Sequence, residues 1–151
     1  MVKLRKLEKM DIPYMLEWMH DTETTKIFKN NFIDIDEDKA KIFIQNSFNE
    51  NNQHFAIVED ENEYLGTISL KNIDLKNKNA EYAISTRKKI WGTGINVIAT
   101  KLILKYAFNE LKLHKVYLNV LSNNVRAINF YKKIGFKHEG TFKEHLFING
   151  E

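Results

Sequence analysis

The stretch KKIWGTGINVIATK, residues 88–101, follows a segment of alternating apolar residues and leads into a segment with helical spacing. Its two glycines, Gly92 and Gly94, are separated by one residue, and glycine lets a backbone approach a ligand closely. The first amides of a helix have no internal acceptor and lie at the positive end of its dipole. The stretch therefore predicts a strand, a tight turn and a helix whose start can bind phosphate.

Two well-known phosphate motifs do not fit this stretch. No Gly-Lys-Ser/Thr follows the glycines, as a Walker loop requires, and Val97 stands where the pattern G-x-G-x-x-G has its third glycine. A P-loop or Rossmann nucleotide binder would also need a mainly parallel sheet and an early phosphate loop, and the sequence predicts neither. Taken alone, the glycines are equally compatible with a tight turn that binds nothing.

The composition restricts the class of protein. The 151 residues suit one domain, residues 1–151, and the absence of cysteine excludes disulfides, thiolate chemistry and cysteine zinc sites. The net charge of +3 comes from lysines scattered among acidic residues, which gives no basic patch for nucleic acid. The charged N-terminus does not resemble a signal peptide, and no apolar run approaches the ~18 residues of a membrane span. We expect a cytoplasmic protein without nucleic-acid or membrane partners.

The apolar periodicity predicts ten elements in the order β-α-α-β-β-β-α-β-α-β. The predicted strands are 2–7, 54–59, 64–73, 80–86, 115–121 and 136–148, and the predicted helices are 11–19, 36–50, 95–111 and 124–134. This order predicts an α/β (α+β) fold whose central sheet is mostly antiparallel, with one strand–helix–strand crossover after residue 80. Asn149-Gly150 is a strong hairpin signal with no return strand after it. We therefore expect the last edge to be unpaired or completed by a neighbour, which would make a homodimer.

A second motif, SNNVRAINFYKKIGF, occupies residues 122–136. Asn124 can cap the helix that follows, and Gly135 suits the position just after its end. Tyr131 lies seven residues after Asn124, two turns later on the same face. By itself, Tyr131 is also compatible with a tyrosine of the core.

Together, WGTGIN and NVRAINFYKKIGF resemble the GNAT family of acetyl-CoA-dependent N-acetyltransferases, in the RimJ/RimL-like branch near spermidine and amino-sugar N-acetyltransferases. They are similar to its patterns Q/R-x-x-G-x-G/A and N-x-x-A-x-x-x-Y…G-F, and the resemblance covers nearly the whole chain. LKLHKVYLNV and EHLFINGE also resemble this branch. Trp91 departs from the usual Gln or Arg, and Asn96 departs from the usual Gly or Ala.

The resemblance implies a sheet that splays between the strands at 80–86 and 115–121, with a bulge in the first of them. The pantetheine arm of the acyl donor would lie in this opening, and its pyrophosphate would sit on the amides of the turn without a metal or a lysine. The cofactor-binding residues that it implies are Ile84, Ser85, Thr86, Trp91, Gly92, Thr93, Gly94, Ile95, Asn96 and Asn124.

The implied reaction needs a base and an acid. An acceptor amine has a pKa near ~10 and must lose a proton before it attacks the thioester. The resemblance indicates Glu81 as the base and Tyr131 as the acid for the leaving thiolate, although Glu81 is also compatible with a solvent-facing strand residue. The implied acceptor is a primary amine of an amino sugar, a polyamine or a protein N-terminus. A GNAT-like module that binds CoA without efficient catalysis is the alternative.

Other chemistries have little support. The serines show no G-x-S-x-G elbow, and the five histidines show no metal-ligand spacing. The acidic residues Asp34, Asp36, Glu37 and Asp38 could begin a solvated helix or attract a cationic acceptor. We expect residues 20–30 to influence the choice of acceptor.

Overall fold

A computed structural model of the chain describes residues 1–25 and 32–141. The five strands are β1 Lys3–Lys6, β2 Gln53–Val58, β3 Gly66–Asp74, β4 Asn79–Thr86 and β5 Lys115–Tyr117. The helices are α1 Ile12–Met19, α2 Thr22–Thr25, α3 Glu37–Gln45, α4 Ile95–Lys105 and α5 Val125–Ile134. None of the described helices combines the length and the apolarity needed to cross a bilayer.

The strands form one sheet in the order β1-β2-β3-β4-β5. The first three pairings are antiparallel, and β4 pairs with β5 in parallel. The chain passes from β1 to β2 through α1, α2 and α3, joins β2, β3 and β4 by hairpins, and then crosses through α4 to β5. This confirms the predicted mixed α/β fold and its single crossover.

The helices cover both faces of the sheet. Ala56 and Val58 of β2 pack with Met15 and Trp18 of α1, whereas Ile57 packs with Ile103 of α4. Successive strand residues point to opposite faces, so this alternation places α1 on one face and α4 on the other. Tyr131 of α5 also packs against the α4 side of the core.

The predicted helices over 36–50 and 95–111 are both present, and the first of them is shorter than predicted. Asp36 accepts a hydrogen bond from the Lys39 amide at 2.8 Å and so begins α3, which ends at Gln45 rather than at the predicted residue 50. Past Lys105 the helix continues as one wider π turn, Tyr106–Glu110. The predicted helix over 95–111 is thus confirmed almost to its end.

Two predicted strands were too long. β5 ends at Tyr117 rather than at residue 121, because the residues beyond it have no partner strand in the described part of the chain. Residues 136–141 are not a strand. The rest of the predicted strand 136–148 and the turn Asn149-Gly150, on which the homodimer expectation rests, lie outside the described residues.

The bulge lies in β3 and not in β4, so the expected bulge over 80–86 was wrong. Lys71 pairs with Glu81 and Asp74 pairs with Asn79, which leaves two β3 residues opposite one β4 residue. Asn72 takes up the extra length with φ of 51°, a left-handed conformation that asparagine tolerates well. β4 itself therefore stays regular from Glu81 to Thr86.

Candidate active site

The turn before α4 presents backbone amides to open space. Gly92 and Gly94 have φ of 76° and 86°, in the left-handed region, and a Cβ added at either would meet no atom within 4 Å. A residue with a Cβ would be strained in this conformation, which explains both glycines. Gly94 is also the N-cap of α4, so it places the start of the helix directly behind the turn.

Four amides of this turn have no acceptor among the described residues: those of Gly92, Gly94, Asn96 and Val97. The Thr93 amide and hydroxyl instead donate hydrogen bonds to the Ile90 carbonyl, at 3.2 Å and 2.6 Å respectively. Unpaired amides at a helix start favour a bound anion. We call these four amides the anion cradle and the turn that carries them the anion-binding turn. This arrangement fits the pyrophosphate of the expected acyl donor. Of the predicted contact residues, Gly92, Gly94 and Asn96 have unpaired amides, whereas the amides of Trp91, Thr93 and Ile95 have acceptors within the turn.

Asn96 is the one departure from the family pattern that turns inward. It lies one helical turn before Thr100, on the side of α4 that faces the sheet. Its Oδ1 is buried without a hydrogen-bond partner. The backbone amide of Asn96 nevertheless remains unpaired, so the longer side chain does not close the anion cradle.

The opening expected in the sheet is present. The parallel pairing of β4 with β5 ends at Glu81 and Tyr117, whereas β4 continues to Thr86. From residue 82 onward, the β5 side of β4 therefore has no strand partner in the described residues. Ile84, Ser85 and Thr86 occupy this free stretch, which leads directly to the anion-binding turn and could bind the amide groups of a pantetheine arm.

Tyr131 lies beside this opening, on the α4 side of β4. Asn124 caps α5 by accepting a hydrogen bond from the Ala127 amide at 3.2 Å, which fixes where the helix starts. The Tyr131 ring packs edge-on against Tyr82 of β4, with centroids 5.6 Å apart. Burial raises the pKa of Tyr131 to about 12, a rise that the Tyr82 hydroxyl partly opposes. Its phenol is therefore a neutral proton donor at pH 7.

Glu81 lies on the opposite face of β4. Its neighbour Tyr82 hydrogen-bonds Thr100 of α4 at 2.8 Å, so strand alternation turns Glu81 away from α4. The Glu81 carboxylate lies 3.8 Å from the Lys71 ammonium and accepts a hydrogen bond from the Asn72 side chain at 3.2 Å. The expectation of a merely solvent-facing glutamate does not fit, because only 9% of Glu81 is exposed.

Three basic residues before the turn have partners elsewhere. Arg87 binds Glu17 of α1 and Glu63, each at 2.7 Å, and Lys88 lies 2.7 Å from Asp21. Lys89 also binds Glu63, at 2.8 Å. These ion pairs hold the turn against α1 and the β2–β3 loop, so the anion cradle consists of backbone amides rather than of these cations.

Sequence reasoning missed Arg126. Its guanidinium lies over the Trp91 ring, 5.8 Å from the centroid, and so joins the first turn of α5 to the anion-binding turn. A signal was available, because a cation in the first turn of a helix opposes the helix dipole.

Within residues 1–25 and 32–141, no group of three His, Asp or Glu could hold a metal ion. Residues 26–31, part of the segment expected to influence acceptor choice, lie outside the described residues.

The known proteins to which this chain is similar point to one family. The acetyltransferase (GNAT) domain family matches residues 2–137. Spermidine N(1)-acetyltransferase of Escherichia coli K12 is 29% identical over 150 residues, which cover 99% of this chain and 80% of that enzyme. Acetyltransferase PseH of Campylobacter jejuni serotype O:2 is 26% identical over 152 residues, covering 98% of this chain and 92% of that protein.

A solved structure has nearly the same fold. The crystal structure of spermidine N-acetyltransferase from Vibrio cholerae, in complex with CoA and spermine, has a TM-score of 0.90 to this chain at 25% identity. The match covers 99% of this chain and 88% of that one. The chain therefore belongs to the GNAT acetyltransferase family and is an acetyl-CoA-dependent N-acetyltransferase.

Proposed function

We propose that this enzyme transfers an acetyl group from acetyl-CoA directly to a primary amine of a polyamine. The observation that carries this proposal is the set of unpaired amides of Gly92, Gly94, Asn96 and Val97, which follows the free edge of β4. Tyr131 packs on Tyr82, where this free edge begins. Acetyl-CoA, when bound, supplies an activated thioester. The sequence has no cysteine that could take up the acetyl group first, which favours direct transfer.

Glu81 and Tyr131 lie on opposite faces of β4. Ser69 pairs with Ala83, and the Ser69 hydroxyl lies 2.6 Å from Nδ1 of His54, whose ring packs 4.7 Å from that of Phe43 in α3. Ala83 and Glu81 point to the same face, so Glu81 lies on the side of α3. Tyr131 lies on the side of α4. An amine and a thiol can therefore approach the opening between β4 and β5 from opposite faces.

In this arrangement each side chain has one task. Tyr131 holds a proton at its hydroxyl and donates it to the leaving sulfur. Glu81 accepts a proton from the amine at its carboxylate, directly or through one water. The amides of the turn and Asn124, at the start of α5, bind and position the donor.

A polyamine suits the charges on the acceptor side. Asp36, Glu37 and Asp38 lie at the start of α3, which packs beside α1 on the face that carries Glu81. A group of like charges raises the local concentration of a cationic substrate. The similarity to spermidine N-acetyltransferases supports the same acceptor class.

Thiol release from acetyl-CoA over an amine panel tests the proposal. The panel contains spermidine, a nucleotide-linked amino sugar and a peptide with a free N-terminus. We expect release with spermidine at a kcat/KM at least tenfold above that of the other two. Acetyl-CoA binding without release for any amine would contradict the proposal and indicate a CoA-binding module. Preference for the sugar or the peptide would contradict only the acceptor.

Replacing Glu81 by Gln tests the base. We expect kcat to fall about 10²-fold at pH 7, the lower end of the effect of a general base. The defect should shrink as the pH rises toward the ~10 pKa of the free amine, since the amine then loses its proton without help. The pH dependence of kcat with spermidine measures both effects.

The matched control for Glu81→Gln is Lys71→Gln, which removes the same ion pair but keeps the carboxylate. It should lower kcat at pH 7 far less than Glu81→Gln does. A Glu81→Gln profile parallel to that of the unmodified enzyme would rule Glu81 out as the base.

A further inference from the structure

Trp91 and Arg126 form a bridge between the anion-binding turn and α5. The Trp91 Nε1 donates a hydrogen bond to the Thr86 hydroxyl at 3.2 Å, which fixes the indole at the end of β4. The Arg126 guanidinium lies over the ring, and 39% of Trp91 is exposed. We call these two side chains the indole–guanidinium pair.

Arg126 differs from the two other arginines of the chain. Arg5 binds both oxygens of Asp11 at 2.8 Å and 2.9 Å, and Arg87 binds Glu17 at 2.7 Å. Within the described ranges, no carboxylate lies within ion-pair distance of Arg126. The side chain is exposed and stands in the first turn of α5, where the helix dipole disfavours a cation. Arg126 therefore has an unmet preference for an anion.

The expected path of the bound acyl donor shows which part of it would reach the pair. Its pyrophosphate fits the unpaired amides of Gly92, Gly94, Asn96 and Val97, and its thioester end fits the free edge of β4. The nucleotide end must then leave the turn away from β4. Trp91 belongs to this turn and Arg126 to the first turn of α5. A nucleotide end that leaves the turn toward α5 would therefore meet the indole–guanidinium pair.

The nucleotide end of CoA carries an adenine ring and a 3′-phosphate, and the pair offers a partner for each. An exposed indole stacks on a nucleobase, and a guanidinium binds phosphate through two parallel hydrogen bonds. We propose that Trp91 stacks on the adenine and that Arg126 binds the 3′-phosphate. This proposal rests on the proposed function, in which acetyl-CoA is the donor. The pair thereby selects CoA thioesters over thioesters of pantetheine alone.

Calorimetric titration with three probes tests each half of the proposal. CoA contains every group, dephospho-CoA lacks the 3′-phosphate, and 4′-phosphopantetheine also lacks the adenosine and one phosphate of the pyrophosphate. Arg126→Ala should weaken CoA about tenfold, as expected for a lost charged hydrogen bond, and leave dephospho-CoA unchanged. Trp91→Gln should weaken CoA and dephospho-CoA alike by about tenfold and leave 4′-phosphopantetheine unchanged.

Tryptophan emission gives an independent readout. The chain has two tryptophans, and Trp18 is only 4% exposed and donates a hydrogen bond to the Tyr64 hydroxyl. Emission quenched by CoA and by dephospho-CoA should therefore come from Trp91. This quenching should be absent with 4′-phosphopantetheine and absent in Trp91→Gln.

Lys133→Ala is the matched control, since it removes an exposed cation from the other end of the same helix. It should leave all three affinities unchanged. Equal weakening of CoA and dephospho-CoA by Arg126→Ala would overturn the phosphate assignment. Unaltered CoA binding and quenching in Trp91→Gln would overturn the stacking. Failure of the unmodified protein to bind CoA would remove the donor itself, and with it both proposals.

Discussion

Tyr131→Phe is expected to lower kcat by about 10²–10⁴-fold, the usual contribution of a positioned general acid. The substitution removes only the hydroxyl, so the edge-on contacts of the ring with Tyr82 and Phe136 should persist. The affinity for acetyl-CoA should therefore change less than about threefold. This is well below the binding free energy of about 1.4 kcal/mol that a tenfold change represents. Thiol release with spermidine gives kcat, and calorimetry gives the dissociation constant.

The pH dependence of the reaction gives a second check on Tyr131. Burial raises the pKa of Tyr131 to about 12, so the acid form predominates throughout neutral and mildly alkaline pH. The rate should show no loss from Tyr131 ionisation between pH 6 and about 10, because loss of the acid begins only as the pH nears its raised pKa.

Tyr106→Phe provides the matched control for the lost hydroxyl. The Tyr106 hydroxyl donates a hydrogen bond to the Gln53 side chain at 2.6 Å, on β2, which lies two strands away from β4. This control should lower the free energy of unfolding and leave kcat nearly unchanged. If Tyr131→Phe keeps its kcat, or loses it only in step with acetyl-CoA affinity, the hydroxyl is a packing group.

Gly94→Ala is expected to weaken acetyl-CoA binding by about 10–100-fold, as the loss of one hydrogen bond to a charged group would. Gly94 has φ of 86°, which costs an alanine about 1–2 kcal/mol, so the turn should relax toward another conformation. The amides of Gly92 to Val97 would then no longer converge. The added methyl would also project into the open space where the pyrophosphate fits.

The free energy of unfolding of Gly94→Ala should fall by no more than the backbone strain of about 1–2 kcal/mol, whereas its donor affinity should fall by about 10–100-fold. No atom lies within 4 Å of the new methyl, so the loss is limited to the backbone strain. Gly140→Ala is the control, since its Cβ also meets open space but its φ is outside the left-handed region. Calorimetry with CoA and thermal unfolding separate the two effects. Unchanged affinity in Gly94→Ala would show that the turn does not hold the pyrophosphate.

Much of the site could be predicted from the sequence because its signals are local. The glycines, the alternation over 80–86 and the helical spacing after residue 94 together fixed the strand, turn and helix. Asn124 and Gly135 bounded α5 in the same way, through caps that involve only neighbouring residues. The anion cradle and the position of Tyr131 on its helix follow from these elements.

Strand pairing was less predictable, because it depends on partners far along the chain. Residues 118–121 alternate well, yet β5 ends at Tyr117 where β4 turns away from it. The extra residue of the bulge went to β3, since Asn72 can adopt a left-handed conformation there. Neither result could be predicted from the local sequence pattern of the strand that it affects.

The sequence by itself determined the strand–turn–helix unit and the capped helix that carries Tyr131, since both are formed by residues close together along the chain. Only the tertiary structure decided that Glu81 and Tyr131 lie on opposite faces of β4, because the helix that covers each face is set by core packing. It also brought Arg126 over Trp91 and Arg87 onto Glu17, contacts that span 35 and 70 residues. Such contacts depend on how the helices pack on the sheet, which no short stretch of sequence specifies.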